Sequence, residues 1–269
     1  MNHKTRLEII MGESNPIPNK SHENLSEKIR KNVDIFLANN SVKDWFNHYN
    51  WGNDSQRSNF QNIVDLEVQL THAAKTNKIT SEHVMSIARW GAHPMIDKIR
   101  CNSHIDLPLF ENNKPAAWIL DNPAYGITLL RPQVYYVGPT YMTKILRFSM
   151  PSEFGALDTR ITRVFGRGDP HHSYLPLLEL EAEDHGGKWF IKYPQPAWPS
   201  EYSTFIFILR AMVDYQNRSG IICPHPEVLY DHGLRKRGIW ECADVEMALF
   251  SFASERIYPT TMTDSGEIK

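Results

Sequence analysis

The 269-residue sequence has few cysteines, no long apolar run and no large excess of either charge. Its cysteines, Cys101, Cys223 and Cys242, lie far apart and form no CxxC or Cys–His pair with zinc spacing. Reduced thiols are therefore expected, and the sequence predicts no metal site and no cofactor. The formal net charge of −2 excludes attraction of the whole protein to polyanions, so any such site must be a local patch.

Several common signals are also missing. The chain contains no dinucleotide-binding GxGxxG loop, no phosphate-binding GxxxxGK[ST] loop and no GxSxG nucleophile elbow. No run of 18 apolar residues is present, which predicts that nothing spans a membrane. The N-terminal residues lack the apolar core of a secretory signal peptide. We expect a cytoplasmic protein, with residues 1–22 as an N-terminal arm and 259–269 as a tail.

Apolar residues recur at helical spacing through most of the chain. This periodicity, with its capping and terminating residues, predicts helices over 24–40, 55–78, 80–91, 124–132, 139–150, 158–165, 201–220 and 241–257. Residues 174–193 differ, because apolar and charged residues alternate on both sides of His185-Gly186-Gly187, which predicts a small β-hairpin. The fold class is therefore mainly α, as a single domain over residues 23–258.

The segment VGPTYMTKILRFSMPSEFGALDTRI, residues 137–161, joins two of these helices. Gly138 permits a tight turn, Pro139 suits the first position of a helix, and Pro151 ends that helix. Asp158 follows as the N-cap of the second helix. Lys144 and Asp158 are thereby placed toward the facing ends of two consecutive helices.

This segment resembles the helix-hairpin-helix DNA glycosylases, and more narrowly a bacterial group similar to 8-oxoguanine DNA glycosylase. The similarity covers roughly residues 124–170, with VEMALF at 245–250 as a weaker match. It implies a helical bundle whose hairpin region spans 124–166. Two positions depart from the family's pattern: Tyr136 stands where the first hairpin glycine is expected, and Thr140 where lyase-type members carry their lysine.

The resemblance implies an enzyme that flips a damaged or modified base out of double-stranded DNA and cuts its N-glycosidic bond. Its role would be base-excision repair or defence against phage with modified DNA. Asp158 is the implied catalytic carboxylate, which stabilises positive charge on the sugar and orients water. Lys144, one helical turn beyond Thr140, is a Schiff-base nucleophile, a partner of phosphate or Asp158, or a solvated or snorkelling lysine beside Phe148.

The lysine missing at Thr140 favours hydrolysis, with at most weak lyase activity. We expect a monomer that is associated with the nucleoid when it is on DNA.

Positive charge is concentrated around the motif, since residues 131–168 hold six basic residues against two acidic ones. Such a patch predicts phosphate contacts from its arginines. The spacing of Arg160, Arg163 and Arg167 places them on one helical face. The predicted DNA-binding residues are Tyr136, Gly138, Thr140, Arg147, Arg160, Arg163 and Arg167. Arginines exposed on ordinary helices are the alternative interpretation.

A flipped base needs a pocket with aromatic walls. The sequence offers Trp45, Trp51 and Tyr141 as candidates, although aromatic residues at helical spacing usually belong to a core. Two other functions compete with a glycosylase. One is a non-catalytic helical module that binds nucleic acid or protein, in which Asp158 is only a helix cap. The other is a metal-dependent enzyme that uses the histidine-rich loop at 171–185.

Overall fold

The structure is a computed structural model that describes residues 23–49 and 60–259. Its helices are α1 (Glu27–Asn39), α2 (Val42–Asn47), α3 (Phe60–Lys75), α4 (Ser81–Trp90), α5 (Ala117–Asp121), α6 (Ala124–Leu130), α7 (Pro139–Ser149), α8 (Thr159–Phe165), α9 (Glu201–Arg218), α10 (Glu227–Asp231) and α11 (Cys242–Ile257). A 3₁₀ turn spans Ile96–Lys98. The prediction of a mainly α fold is confirmed.

The described residues also form small antiparallel sheets of two strands each. They pair β1 (Arg100–Cys101) with β4 (Val134–Tyr135), β2 (Phe110–Glu111) with β3 (Lys114–Pro115), and β5 (Ala182–Asp184) with β6 (Trp189–Ile191). The last pair is the predicted β-hairpin. It is shorter than the predicted 174–193, and the backbone of residues 180–182 also pairs with Arg167. Arg167 N donates to Leu180 O at 2.7 Å, and Ala182 N to Arg167 O at 2.8 Å.

Local capping sets several helix boundaries. Ser26 accepts a hydrogen bond from Ile29 N at 3.3 Å, and Asp158 accepts one from Arg160 N at 2.9 Å. Pro139 lies in the first turn of α7, as expected. The predicted start of α3 at residue 55, the arm 1–22 and the tail from residue 260 lie outside the described residues.

The tight turn before α7 is centred on a different residue from the one predicted. Gly138 has an extended backbone, with φ −80° and ψ 179°. The left-handed conformation falls on Tyr136 instead, with φ 61°. This geometry costs a residue with a side chain about 1–2 kcal/mol relative to glycine. The chain therefore holds Tyr136 in an unfavourable conformation at the end of β4.

Buried apolar side chains from Leu25 to Ile257 form one continuous core. Helix α11 runs through it and packs against α2, α8 and α9. Most of its side chains are buried, including the carboxylates Asp244 and Glu246. None of the helices in the described ranges combines the length and the apolar character needed to cross a membrane. The burial of charge in α11 is the feature that leads to the candidate site.

Candidate active site

A cleft of about 1260 Å³ opens where α7, α8 and α11 meet the β5–β6 hairpin. Both predicted catalytic residues, Lys144 and Asp158, line it. We call its charged inner lining, Lys144, Arg147, Asp158 and Glu246, the cleft floor. We call its exposed apolar lining the cleft rim, which consists of Met95, Tyr135, Tyr136, Phe190 and Tyr193.

The loop between α7 and α8 holds Asp158 in place. Leu157 N donates to Thr143 Oγ1 at 3.0 Å, and Tyr202 OH donates to Gly155 O at 3.0 Å. A β-carbon on Gly155 would lie 2.7 Å from Glu246 Cβ, so the loop approaches α11 as closely as glycine allows. Asp158 is thus fixed both as a cap of α8 and as a lining residue of the cleft.

Lys144 lies between two aromatic rings of the cleft. Its Nζ is 4.9 Å from the ring centroid of Trp90 and 4.8 Å from that of Tyr141. Burial lowers the pKa of Lys144, although the carboxylates of Asp158 and Glu246 oppose that shift. Lys144 is half-buried, which does not fit a fully solvated side chain but does fit a snorkelling lysine.

Arg147, also in the floor, belongs to a buried ion network. Its Nη1 lies 2.5 Å from Glu67 Oε1, and its Nε lies 3.7 Å from Glu246 Oε2. Arg235 Nη1 lies 2.9 Å from Glu67 Oε2, and Arg235 Nε lies 3.0 Å from Asp244 Oδ1. Burial alone would raise the pKa of Glu67, but Arg147 and Arg235 outweigh it and hold that pKa below its usual value.

Arg147 is buried, and this corrects the prediction that it contacts a DNA phosphate. The side chain is 3% exposed, and its charge is compensated inside the protein. Its partner Glu67 lies 80 residues away in the chain, so the sequence around Arg147 could not indicate this ion pair.

The prediction that Arg160, Arg163 and Arg167 share one helical face is wrong. Arg163 points inward, where its Nε lies 2.6 Å from Asp169 Oδ2 and its guanidinium carbon 4.3 Å from the centroid of Trp189. Helix α8 ends at Phe165, so Arg167 lies beyond it, exposed and paired with Glu179. Arg160 is the member of this set that lines the cleft.

The predicted hairpin residues Tyr136, Gly138 and Thr140 all line the cleft. Tyr136 is 64% exposed and stands at the rim. The β5–β6 hairpin forms the opposite wall and contributes Phe190, which is 43% exposed. Contact of these residues with DNA stays a prediction.

The three predicted base-pocket residues have different outcomes. Tyr141 lines the cleft, and its OH donates to Gly91 O at 2.5 Å. Trp45 is partly buried and packs edge-on against Phe252 at 5.3 Å beside the core, outside the cleft lining formed by the described residues. Trp51 lies outside the described residues. Trp45 does not line the cleft, because α2 packs against α11 and places this ring on Phe252.

Sequence reasoning missed Glu246, which is 7% exposed and lines the cleft. Burial raises its pKa to about 7 against the opposing charge of Arg147, and Asp158 adds to the rise. A signal was present in CADVEMALFSFA, residues 242–253, where two carboxylates interrupt an otherwise apolar and small-residue stretch. Charged residues in such a stretch are buried only with partners or for a function.

One group of potential metal ligands lies away from the cleft. Donor atoms of Cys223, His225 and Asp244 lie within 4.8 Å of one another, a grouping that sequence spacing did not indicate. His225 Nε2 lies 2.9 Å from Asp244 Oδ2, and Arg235 occupies the other carboxylate oxygen. Because Arg235 already neutralises Asp244, we interpret this group as part of a hydrogen-bonded network. Within the described ranges, the histidines of 171–185 enter no comparable group of three ligands.

Comparisons with family models, with curated proteins and with solved structures yield no significant match to this chain. Function must therefore be argued from the cleft and from the motif that builds it.

Proposed function

We propose that the protein is a DNA glycosylase that extrudes a damaged or modified base and hydrolyses its N-glycosidic bond. The observation that carries the proposal is the position of Asp158 at the start of α8, in the same cleft as Lys144 of α7. The motif that resembles helix-hairpin-helix glycosylases supplies both residues. The helix-hairpin-helix character of the fold is part of the proposal.

Asp158 would act on the sugar of the extruded nucleotide. When the bond from C1′ to the base nitrogen breaks, its electron pair leaves with the base and positive charge develops on the sugar. A carboxylate beside the sugar stabilises this charge and accepts a proton from the water that attacks C1′. The hydrogen bond from Arg160 N fixes one carboxylate oxygen, which orients the group for this role.

Lys144 would act as a cation or as an amine. As a cation it would lie near the departing charge of the base and stabilise it. As an amine, which its lowered pKa favours, it could attack C1′ and form a Schiff base that leads to strand cleavage. These two roles predict different products.

The rim and the size of the cleft support an extruded base as the ligand. Aromatic side chains stack on bases, and the rim exposes four of them. The cleft of about 1260 Å³ exceeds the range of roughly 300–1,000 Å³ that is usual for small-molecule sites. That volume leaves room for a base with a substituent, which is consistent with a modified base.

A non-catalytic DNA- or protein-binding module on the same fold is the second candidate. The departure at Tyr136 from the family's hairpin glycine favours it. So does the capping bond of Asp158, which gives this residue a structural role in α8.

Abasic sites counted in DNA from several sources, including phage with modified bases, test the proposal. DNA would be incubated with the wild-type protein or with Asp158→Asn, because asparagine is also a good N-cap and keeps the helix start. We expect alkali-labile sites with the wild-type protein alone. Strand breaks without alkali would assign Lys144 as the Schiff-base former. DNA binding without abasic sites on any source would favour the non-catalytic module.

A further inference from the structure

Glu246 is a second carboxyl group of the cleft floor, and it lies at the edge of the ion network. Its Oε2 lies 3.7 Å from Arg147 Nε, whereas Arg147 already pairs with Glu67 at 2.5 Å. Arg147 and Arg235 together face four carboxyl groups, those of Glu67, Glu241, Asp244 and Glu246. Two guanidinium charges do not neutralise four carboxylates, and Glu246 is therefore only weakly paired in this network.

The surroundings of Glu246 come from four parts of the fold. Helix α7 contributes Lys144 and Arg147, and the start of α8 contributes Asp158, all of which act on its charge. Tyr49, after α2, and Tyr202 of α9 also lie in its electrostatic reach. These side chains include the two residues to which the proposed reaction assigns chemistry.

The loop that carries Asp158 also positions Glu246. The Ala156 amide donates a hydrogen bond to the Glu246 carboxyl group, and Gly155 packs against its stem. Asp158 follows two residues later. One short loop thus sets the places of both carboxyl groups relative to each other.

We propose that Glu246 is a second catalytic residue of the cleft, the general acid that protonates the departing base. This inference rests on the proposed glycosylase function. The proton of the Glu246 carboxyl group moves to the base as the C1′–N bond breaks, and the bond's electrons leave on the base. Water adds its oxygen to C1′ and gives a proton to Asp158. Exchange with solvent then returns one proton to Glu246 and removes one from Asp158.

The protonation state of Glu246 suits this role. Burial raises its pKa to about 7, despite Arg147, so that a large fraction of the carboxyl group carries a proton at neutral pH. An acid whose pKa lies near the working pH is the most effective proton donor. The acid form is lost as the pH rises through about 7, and the reaction should slow with it.

The test is the single-turnover rate of base release between about pH 5.5 and 9, on a DNA that the wild-type protein cleaves. We expect the wild-type rate to fall roughly tenfold per pH unit above the pKa, and Glu246→Gln to lose this dependence. The variant should also be slower by about 10²–10⁴-fold. Glu241→Gln is the matched control, because burial raises the pKa of Glu241 to about 7 as well, outside the cleft lining. It should keep both the rate and the pH profile.

A second measurement needs no variant at all. A base that leaves readily without protonation should show no alkaline fall in rate with the wild-type protein, because the acid is then unnecessary. An unchanged rate and pH profile in Glu246→Gln, or an alkaline fall that does not depend on the leaving base, would overturn the assignment of Glu246. Absence of base release from every DNA would instead overturn the glycosylase proposal itself.

Discussion

The cleft floor and the cleft rim depart from ordinary protein structure in opposite directions. The floor holds charged groups at low exposure, including Arg147 and Glu246, which are 3% and 7% exposed. The rim holds large aromatic side chains that face solvent, including Tyr136 and Phe190. Charged residues are rarely buried, and clustered exposed apolar side chains often mark binding sites. Each region costs the protein folding free energy unless it serves a ligand.

The difference assigns separate tasks to the two regions. In the floor, burial lowers the pKa of Lys144 and raises that of Glu246, as is common for reactive groups. Side chains of the rim offer flat apolar faces, as stacking on bases requires. We therefore expect changes in the floor to alter stability and chemistry, and changes in the rim to alter affinity.

Arg147→Met tests the floor, with the largest expected effect on stability. Removal of one partner from a buried ion pair leaves Glu67 with a single arginine, which should lower the free energy of unfolding by about 3–5 kcal/mol. Urea denaturation measures this loss. Arg89→Met is the control, because the Arg89–Glu82 pair is exposed and should contribute at most about 1 kcal/mol. Equal losses in the two variants would show that the floor is no different from the surface.

Phe190→Ala and Tyr136→Asn test the rim. Loss of one stacked base should cost about 1–3 kcal/mol, a rise in the DNA dissociation constant of roughly 5- to 150-fold. Asparagine tolerates the positive φ of Tyr136, so the turn should survive. Fluorescence anisotropy with labelled DNA gives the constants. Tyr215→Ala, an equally exposed aromatic outside the cleft lining, should bind like the wild type. If all three variants bind alike, the rim is not the binding surface.

Arg131→Gln addresses the smallest expected effect, that of a positive charge beside the rim. Arg131 is exposed, lines the cleft and lies 5.7 Å from the ring centroid of Tyr193. If it contacts one phosphate, its loss should reduce the slope of log affinity against log salt by about one. Arg237→Gln supplies the comparison, since Arg237 pairs with Glu227 away from the cleft. A slope that is the same in both variants would remove Arg131 from the interface.

Sequence patterns correctly predicted the features that depend on neighbouring residues in the chain. Periodicity found the major helices, and the Asp158 cap and Pro139 start were read from local rules. The residues between α7 and α8 sufficed to predict that Lys144 and Asp158 come together, and they line one cleft.

The predictions that failed concern side chains whose contacts are distant in the chain. Arg147 meets Glu67, and Glu67 meets Arg235, across 80 and 168 residues. Helical spacing shows which residues share a face, but not whether that face meets solvent or another helix. Arg163 and Trp45 were misplaced for this reason, and Glu246 was missed.

The most direct measurement is the release of free base from DNA under single-turnover conditions, with protein in excess, for the wild type and Asp158→Asn. Chromatography of the released base reports bond cleavage itself, independently of strand breaks. The account predicts that the wild type releases a base and that Asp158→Asn, still folded and bound to DNA, is slower by at least about 10²-fold. Equal rates in the two proteins would contradict it.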